Sequence, residues 1–192
     1  MTYMRKEERR AGIIAAAVDI TLEQGLHAAT ARAVAARIGC APAQIHHHFV
    51  TAAALRAEAL RAAMAHIMIS EDSKLANLPP DEKLLSLMVM DNSKATTLWN
   101  EGLIAAREEE PVRIVVGEVI DGCHRLIADV LTEGQRLGVF SSDIVPSLIA
   151  SRLIAVCIGF DQMNVIKAPG YDLASLNKIM EAEIDMLKKI ND

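Results

Sequence analysis

The sequence predicts an all-α protein in which a three-helix amino-terminal head, residues 1–52, precedes a larger helical bundle over 53–192. Three observations carry that reading. Apolar residues recur at helical spacing through most of the chain, as at Ile13, Ala16, Ala17 and Ile20, and no segment shows the period-two alternation of a half-buried strand. Breaks fall between the periodic stretches, at Gly25, Gly39, Pro79-Pro80, Pro111, Gly138 and Pro146. Charge divides along the chain: residues 1–62 carry eight Lys/Arg against five Asp/Glu, a net +3, while 63–192 carry twelve against twenty, a net −8.

The first helix should span about 6–24, with Gly25 as its C-cap. Thr30 caps a second helix, on which Val34 and Ile38 lie four apart on the inner face while Arg32 and Arg37 point elsewhere; Gly39 stops it. Pro42 is acceptable only in a first turn, so a third helix should begin at Ala41 or Pro42 and run to about His47. Two short helices joined by a brief turn containing glycine form a helix-turn-helix, whose second member enters the DNA major groove. Thr51 then caps a fourth helix through Leu55, Leu60, Met64 and Ile67 to about Ser70. Pro79-Pro80-Asp81 opens a helix with Leu84, Leu87, Met88 and Met90, and another should cover about 92–109. A long helix follows over about 111–137, then a turn at Ser141-Ser142-Asp143, a helix from Pro146 to about Val165, and a last one from about Asp172 to Ile190.

Composition narrows the function. A hydrophobic content of 52% is ample for a helical core and argues against disorder. No stretch reaches eighteen uninterrupted strongly apolar residues, and the charged amino end lacks the run and cleavage site of a signal peptide, so no membrane partner and a cytoplasmic location are expected. Cys40, Cys123 and Cys157 are odd in number and widely spaced, which suggests neither a disulfide framework nor a zinc site; reduced, mostly buried thiols are expected. The run His46-His47-His48 could not converge on one ion, because consecutive helix residues diverge by roughly 100°. No Gly-rich phosphate loop, GxSxG, HExxH or paired-carboxylate motif occurs, so neither an enzyme nor a bound cofactor is expected, and Glu108-Glu109-Glu110 reads as a solvated helix end. The net charge of −5 is compatible with DNA because affinity follows the local basic face, for which Arg5, Lys6, Arg9, Arg10, Arg32 and Arg37 are candidates.

Residues 10–55 resemble the DNA-binding head of TetR-type (tetracycline-repressor-like) regulators, through Ile13, Ala16-Ala17, Gly25, Thr30, Val34-Ala35, Gly39, Ile45, His48-Phe49 and Leu55 in order and spacing. The resemblance implies that the third helix lies in the major groove, with Pro42, Ala43, Gln44 and His46 toward bases and His47 near phosphate. Gln44 is the candidate reader, since its amide can bond adenine N6 and N7 together for roughly 1–3 kcal/mol of discrimination. Thr30, the first amides of the second helix and Arg32 would hold phosphate, and Arg5, Lys6, Arg9 and Arg10 would follow the backbone or enter the minor groove. The blander alternatives are a solvated Gln44 and a disordered basic tail. The chain departs from the family pattern at Ala41, where a Ser/Thr cap is usual, at His46, where tyrosine is usual, and at Ala52, where lysine is usual. Losing that lysine removes a phosphate contact. Protonated His46 and His47 would compensate, strengthening DNA binding below about pH 6.5.

The same resemblance implies an effector pocket inside the carboxy-terminal bundle, with Met64, Ile67, Met88, Trp99, Leu103, Cys123, His124, Ile127 and Met163 as candidates and plain core packing as the alternative for each. Asn100, Glu101 and His124 could orient a polar group. Nine methionines and 3% aromatic residues suit a small apolar or amphipathic ligand. Leu98-Trp99, Gly138-Val139-Phe140 and Ile158-Gly159 weakly resemble the ligand domain of betaine-pathway regulators and identify no ligand. Ser147, Ser151, Ala155 and Gly159 repeat every four residues, and Leu173, Leu176, Met180, Leu187 and Ile190 form an apolar stripe on the last helix. These two helices resemble the pair that builds the family's dimer interface, with intramolecular packing as the alternative. The expectation is a homodimeric, ligand-released repressor of double-stranded operator DNA. The competing reading is a helical sensor with weakened DNA binding that acts through a protein partner.

Overall fold

Helix boundaries follow the punctuation of the sequence closely. The computed structural model describes residues 6–75, 77–89 and 93–188, so Arg5, Met90 and Ile190 lie outside the described residues. The helices are α1 (Lys6–Gln24), α2 (Ala31–Ile38), α3 (Pro42–His46), α4 (Ala52–Leu75), α5 (Pro80–Met88), α6 (Ser93–Ala105), α7 (Glu110–Arg136), α8 (Pro146–Val165) and α9 (Leu173–Leu187). Thr30 accepts from the Ala33 amide at 3.1 Å and caps α2. Gly39, at φ 69° and ψ 40°, ends that helix in the left-handed conformation glycine adopts without strain, and Cys40 N–H returns to the Ala35 carbonyl at 2.9 Å. Asp172 caps α9 by accepting from Ser175 N–H at 2.8 Å, which holds its carboxyl below the usual range.

Several boundaries differ from the periodicity, among them the end of α4, which runs to Leu75 rather than stopping near Ser70. Leu26–Ala28 forms a 3-10 turn between α1 and α2 where only a break is predicted. α6 stops at Ala105 rather than near 109, because Arg107 N–H and Glu108 N–H bond back three residues, to Ile104 and Ala105, and tighten the chain before α7. α9 stops at Leu187 because tertiary pairing takes over: Ser141 N–H bonds the Leu187 carbonyl at 2.9 Å, and Phe140 and Lys188 form an isolated antiparallel bridge.

The chain divides into two compact units, residues 1–70 with 93–119 and residues 71–92 with 120–192. The expected division after residue 52 falls inside the first. That unit's head is built around Ile13, Ala17, Ile20, Val34, Ile45 and Phe49, with Leu55 and Ala59 of α4 completing the cluster. Ile38, expected on the inner face of α2, is 37% exposed at the helix end. Gly102 lets α6 approach its neighbours, since a Cβ there would lie 3.1 Å from Leu60 of α4 and 3.6 Å from Val116 of α7. Arg56 of α4 makes a bidentate pair with Glu109, at 3.0 and 2.5 Å.

The second unit is built around Leu84, Ile127, Leu131, Phe140, Leu153, Met180, Ile184 and Leu187. Phe140 lies on Gly134, where any Cβ would overlap the ring. Lys188 reaches Asp81 of α5 at 3.1 Å, fastening the end of α9 to α5. By length and composition alone α8 is long and apolar enough to cross a membrane, which is weak evidence because core helices of soluble proteins share those features.

Candidate nucleic-acid interface

The third helix is fixed from one side and open on the other. Ile45 is fully buried in the head core, as is Phe49 just beyond the helix, while Pro42, Ala43, Gln44, His46 and His47 are exposed. A single apolar anchor thus seats a five-residue helix and leaves its polar side chains facing solvent. Ala41 precedes it without a side-chain cap. Ala52 opens α4, where Thr51 supplies the cap by accepting from Ala54 N–H at 3.0 Å. Thr30 spends its oxygen lone pair on Ala33 but keeps its hydroxyl proton, which can still donate to a phosphate.

Ion pairing divides the basic residues of the head. Arg10 reaches Glu58 at 3.1 Å and places its guanidinium 5.1 Å from the Phe49 ring centre. Arg37 pairs with Glu23 at 2.6 Å. Both were expected to face phosphate, and both are instead engaged in joining helices: α1 to α4 through Arg10, and α1 to α2 through Arg37. Among the described residues Lys6, Arg9 and Arg32 form no ion pair, so they are the cations free for a polyanion.

His48 points inward. Its Nδ1 is buried without a hydrogen-bond partner, and burial together with the positive charges of Lys6, Arg9, His47 and Arg10 pushes its pKa down. The ring is therefore neutral near pH 7, and Lys6, Arg9 and Arg10 of α1 converge electrostatically on the end of α3. Val50, 88% exposed between α3 and α4, is a surface residue that sequence reasoning passed over.

The residues expected to line an effector pocket fall in both units. Met64 and Ile67 of α4 are buried, and Trp99 and Leu103 of α6 half-buried, in the first unit. Met88, Cys123, His124 and Ile127 belong to the second. There the His124 Nε2–H donates to the Ser147 carbonyl at 2.9 Å, and burial pushes up the Cys123 thiol. Cys157 is pushed up to about 12 by burial and by Asp161, and it touches the Met88 sulfur at 3.9 Å. Met163 does not line an interior, being 42% exposed on α8. Glu101 has a structural partner as well, because its carboxylate accepts from the Leu26 amide.

The two carboxy-terminal helices present an apolar surface. Ser147, Ser151, Ala155 and Gly159 are all exposed, beside Leu148 and Ile166. On α9, Leu176, Met180 and Leu187 are buried in the core of their own unit, so the stripe expected to meet a second copy is largely used at home. The large apolar residues exposed on that helix are Leu173, Ile179 and Met186.

A head that buries one face of a short helix and exposes the other after a glycine turn is a helix-turn-helix unit. Residues 13–59 match the family described as bacterial regulatory proteins, tetR family, so the head is similar to the DNA-binding part of that family. The chain is similar to the TetR-family transcriptional regulator from Cytophaga hutchinsonii, at 16% identity and a TM-score of 0.81 over 99% of this chain and 100% of that one. It is also similar to a protein from Saccharomonospora viridis solved in complex with choline, at 21% identity and a TM-score of 0.75, covering 94% of this chain and 97% of that one. The fatty acid degradation regulator FadR from Bacillus halodurans matches at 22% identity and a TM-score of 0.67, covering 94% and 96%. These likenesses show the shared helical fold. A comparison with curated protein sequences gives no match.

Proposed function

We propose that this chain is a TetR-family transcriptional regulator, a cytoplasmic repressor that binds a near-palindromic operator as a homodimer and is released by a small apolar or amphipathic effector. The observation that carries the reading is the exposure of Gln44 and its neighbours on a helix anchored by Ile45. Gln44 reads adenine, while Lys6, Arg9, Arg32 and Thr30 hold the phosphates. The unpartnered faces of α8 and α9 meet their counterparts in a second copy, placing the two α3 helices about 34–36 Å apart, on successive major grooves. Ser147, Ser151, Ala155 and Gly159 supply the close approach; Leu148, Leu173, Ile179 and Met186 supply the apolar area. An effector that prefers a different head spacing draws the population away from the DNA-competent state, and operator DNA weakens effector binding by the same factor. The choline found in the Saccharomonospora viridis protein makes choline the first probe of release.

The test is selection of bound sequences from a random duplex pool, followed by binding of the winner across a salt series. A near-palindromic winner with a steep salt slope, whose binding falls by roughly 1–3 kcal/mol in Gln44→Ala, is the expected result. The second reading, a sensor acting through a protein partner, is favoured by Ala41, His46 and Ala52; no enrichment by folded protein at low salt would establish it over the first.

A further inference from the structure

The corner between α1 and α2 is held by a side chain that lies 75 positions away in sequence. α1 ends where Gly25 N–H bonds Thr21 O at 2.9 Å, and the 3-10 turn that follows closes through Ala28 N–H to Gly25 O and Ala29 N–H to Leu26 O, each at 3.2 Å. That scheme leaves the Leu26 amide with no backbone acceptor, although the Leu26 side chain is buried. The Glu101 carboxylate of α6 takes it. Gly25 makes the approach possible in two ways. Its φ of 91° is a conformation that glycine adopts without penalty, and a Cβ at this position would lie 2.6 Å from one Glu101 oxygen and 3.0 Å from the other. The next residue of α6, Gly102, is the one seated against Leu60 and Val116. Two successive residues therefore bind α6 to three elements: Glu101 to the corner that leads into α2, and Gly102 to α4 and α7.

We infer that Glu101 is a positioning residue for operator binding: by accepting from the Leu26 amide it fixes the angle at which α2 and α3 leave the rest of the first unit. The inference rests on the operator-binding reading and deepens it. A hydrogen bond to a carboxylate is directional and is among the stronger kinds in a partly buried setting. The corner leads directly into Thr30, the cap of α2, so its orientation is transmitted to the helix-turn-helix within four residues. α4 also joins the head to the rest of the unit, through the Arg56–Glu109 and Arg61–Glu118 pairs, so loss of Glu101 widens the range of head angles without detaching the head. A dimeric reader with a wider range of head angles binds more weakly and tolerates more half-site spacings.

The experiment uses the full chain and compares wild type, Glu101→Ala, Glu101→Gln and Gly25→Ala by selection from duplex pools in which the half-site spacing is randomised. Exchange of the Leu26 amide, followed by NMR, and thermal melting accompany it. Glu101→Ala should weaken operator binding by roughly five- to twentyfold, broaden the accepted spacing, and speed exchange at Leu26. Glu101→Gln keeps an acceptor oxygen and should restore most of the affinity and the narrow spacing. Gly25→Ala should act in the same direction as Glu101→Ala, and the two should combine with less than additive effect. An unchanged affinity and spacing in Glu101→Ala overturns the inference, as does a loss that Glu101→Gln fails to rescue and that follows the melting temperature alone. If wild type selects no sequence, the operator reading fails by itself, and Leu26 exchange then decides the contact: an equal rate in wild type and Glu101→Ala overturns it.

Discussion

In the first unit, helices that already share an apolar core are also joined by charge: Arg10 with Glu58, Arg37 with Glu23, Arg56 with Glu109, Arg61 with Glu118, and the Glu101 carboxylate with a backbone amide. In the second unit, helices meet through Phe140, Leu131, Leu153, Met180 and Leu187, and the pairs Arg152–Glu183 and Lys188–Asp81 involve half-exposed cations beside that core. The difference follows from what each must do. Apolar contact is strong but indifferent to direction, whereas a bidentate or charge-assisted hydrogen bond has a preferred angle. The unit that presents α3 adds several directional bonds between helices to its apolar core; the unit that carries the outer apolar face relies more on its core, with fewer such bonds.

The comparison breaks most visibly through Phe140. Phe140→Ala should lower stability by about 3–5 kcal/mol in urea unfolding, the range for a fully buried aromatic side chain whose site cannot collapse. A loss below about 1 kcal/mol would mean that Gly134 and its neighbours close the cavity, and the second unit would no longer count as tightly filled. Next in size is Glu109→Gln, which leaves the half-buried Arg56 guanidinium with a weaker partner. It should cost about 1–3 kcal/mol by the same measurement, and a cost matching that of Phe140→Ala would erase the contrast between the units. Thr30→Ala removes the cap of α2 and should cost about 1 kcal/mol, read as faster amide exchange at Ala33.

The smallest effect is a pH dependence confined to the head. Because the folded state lowers the His48 pKa, the unfolded chain binds the proton more readily, so the contribution is fully present above about pH 6.5 and is lost as pH falls through the folded value. Thermal melting of wild type should fall between pH 7 and pH 5, and His48→Gln should flatten that slope; an unchanged slope would show that the lone buried Nδ1 is protonated without cost.

Most helix termini were legible because they rest on local chemistry: Thr30, Gly39, Pro42, Pro146 and Asp172 each act on a backbone group within a few residues. Part of the head's apolar core was legible from helical periodicity, which marked Ile13, Ala16, Ala17, Ile20 and Val34 but also the exposed Ile38, while Ile45 and Phe49 stood out only through the family resemblance. What the sequence could not reveal lies far apart along the chain. Nothing near Arg10 announces Glu58, and nothing near Gly25 announces Glu101, so two side chains assigned to DNA and to ligand turned out to join helices. The α9 stripe failed differently. Periodicity shows that Leu176, Met180 and Leu187 share a face, but whether that face meets its own unit or a second copy depends on packing that periodicity does not encode.

The clasp of Lys188 on Asp81 has a consequence for synthesis. The head's apolar cluster is complete once residue 59 has left the ribosome, and it can close while the remainder is still being made. The second unit cannot, because Asp81 of α5 waits for Lys188, 107 residues behind it, and Leu84 has no finished core until Met180, Ile184 and Leu187 arrive. A ribosome that stalls before α9 therefore leaves a nascent chain with a folded head and a sticky, half-built bundle, the form that chaperones and proteases meet first.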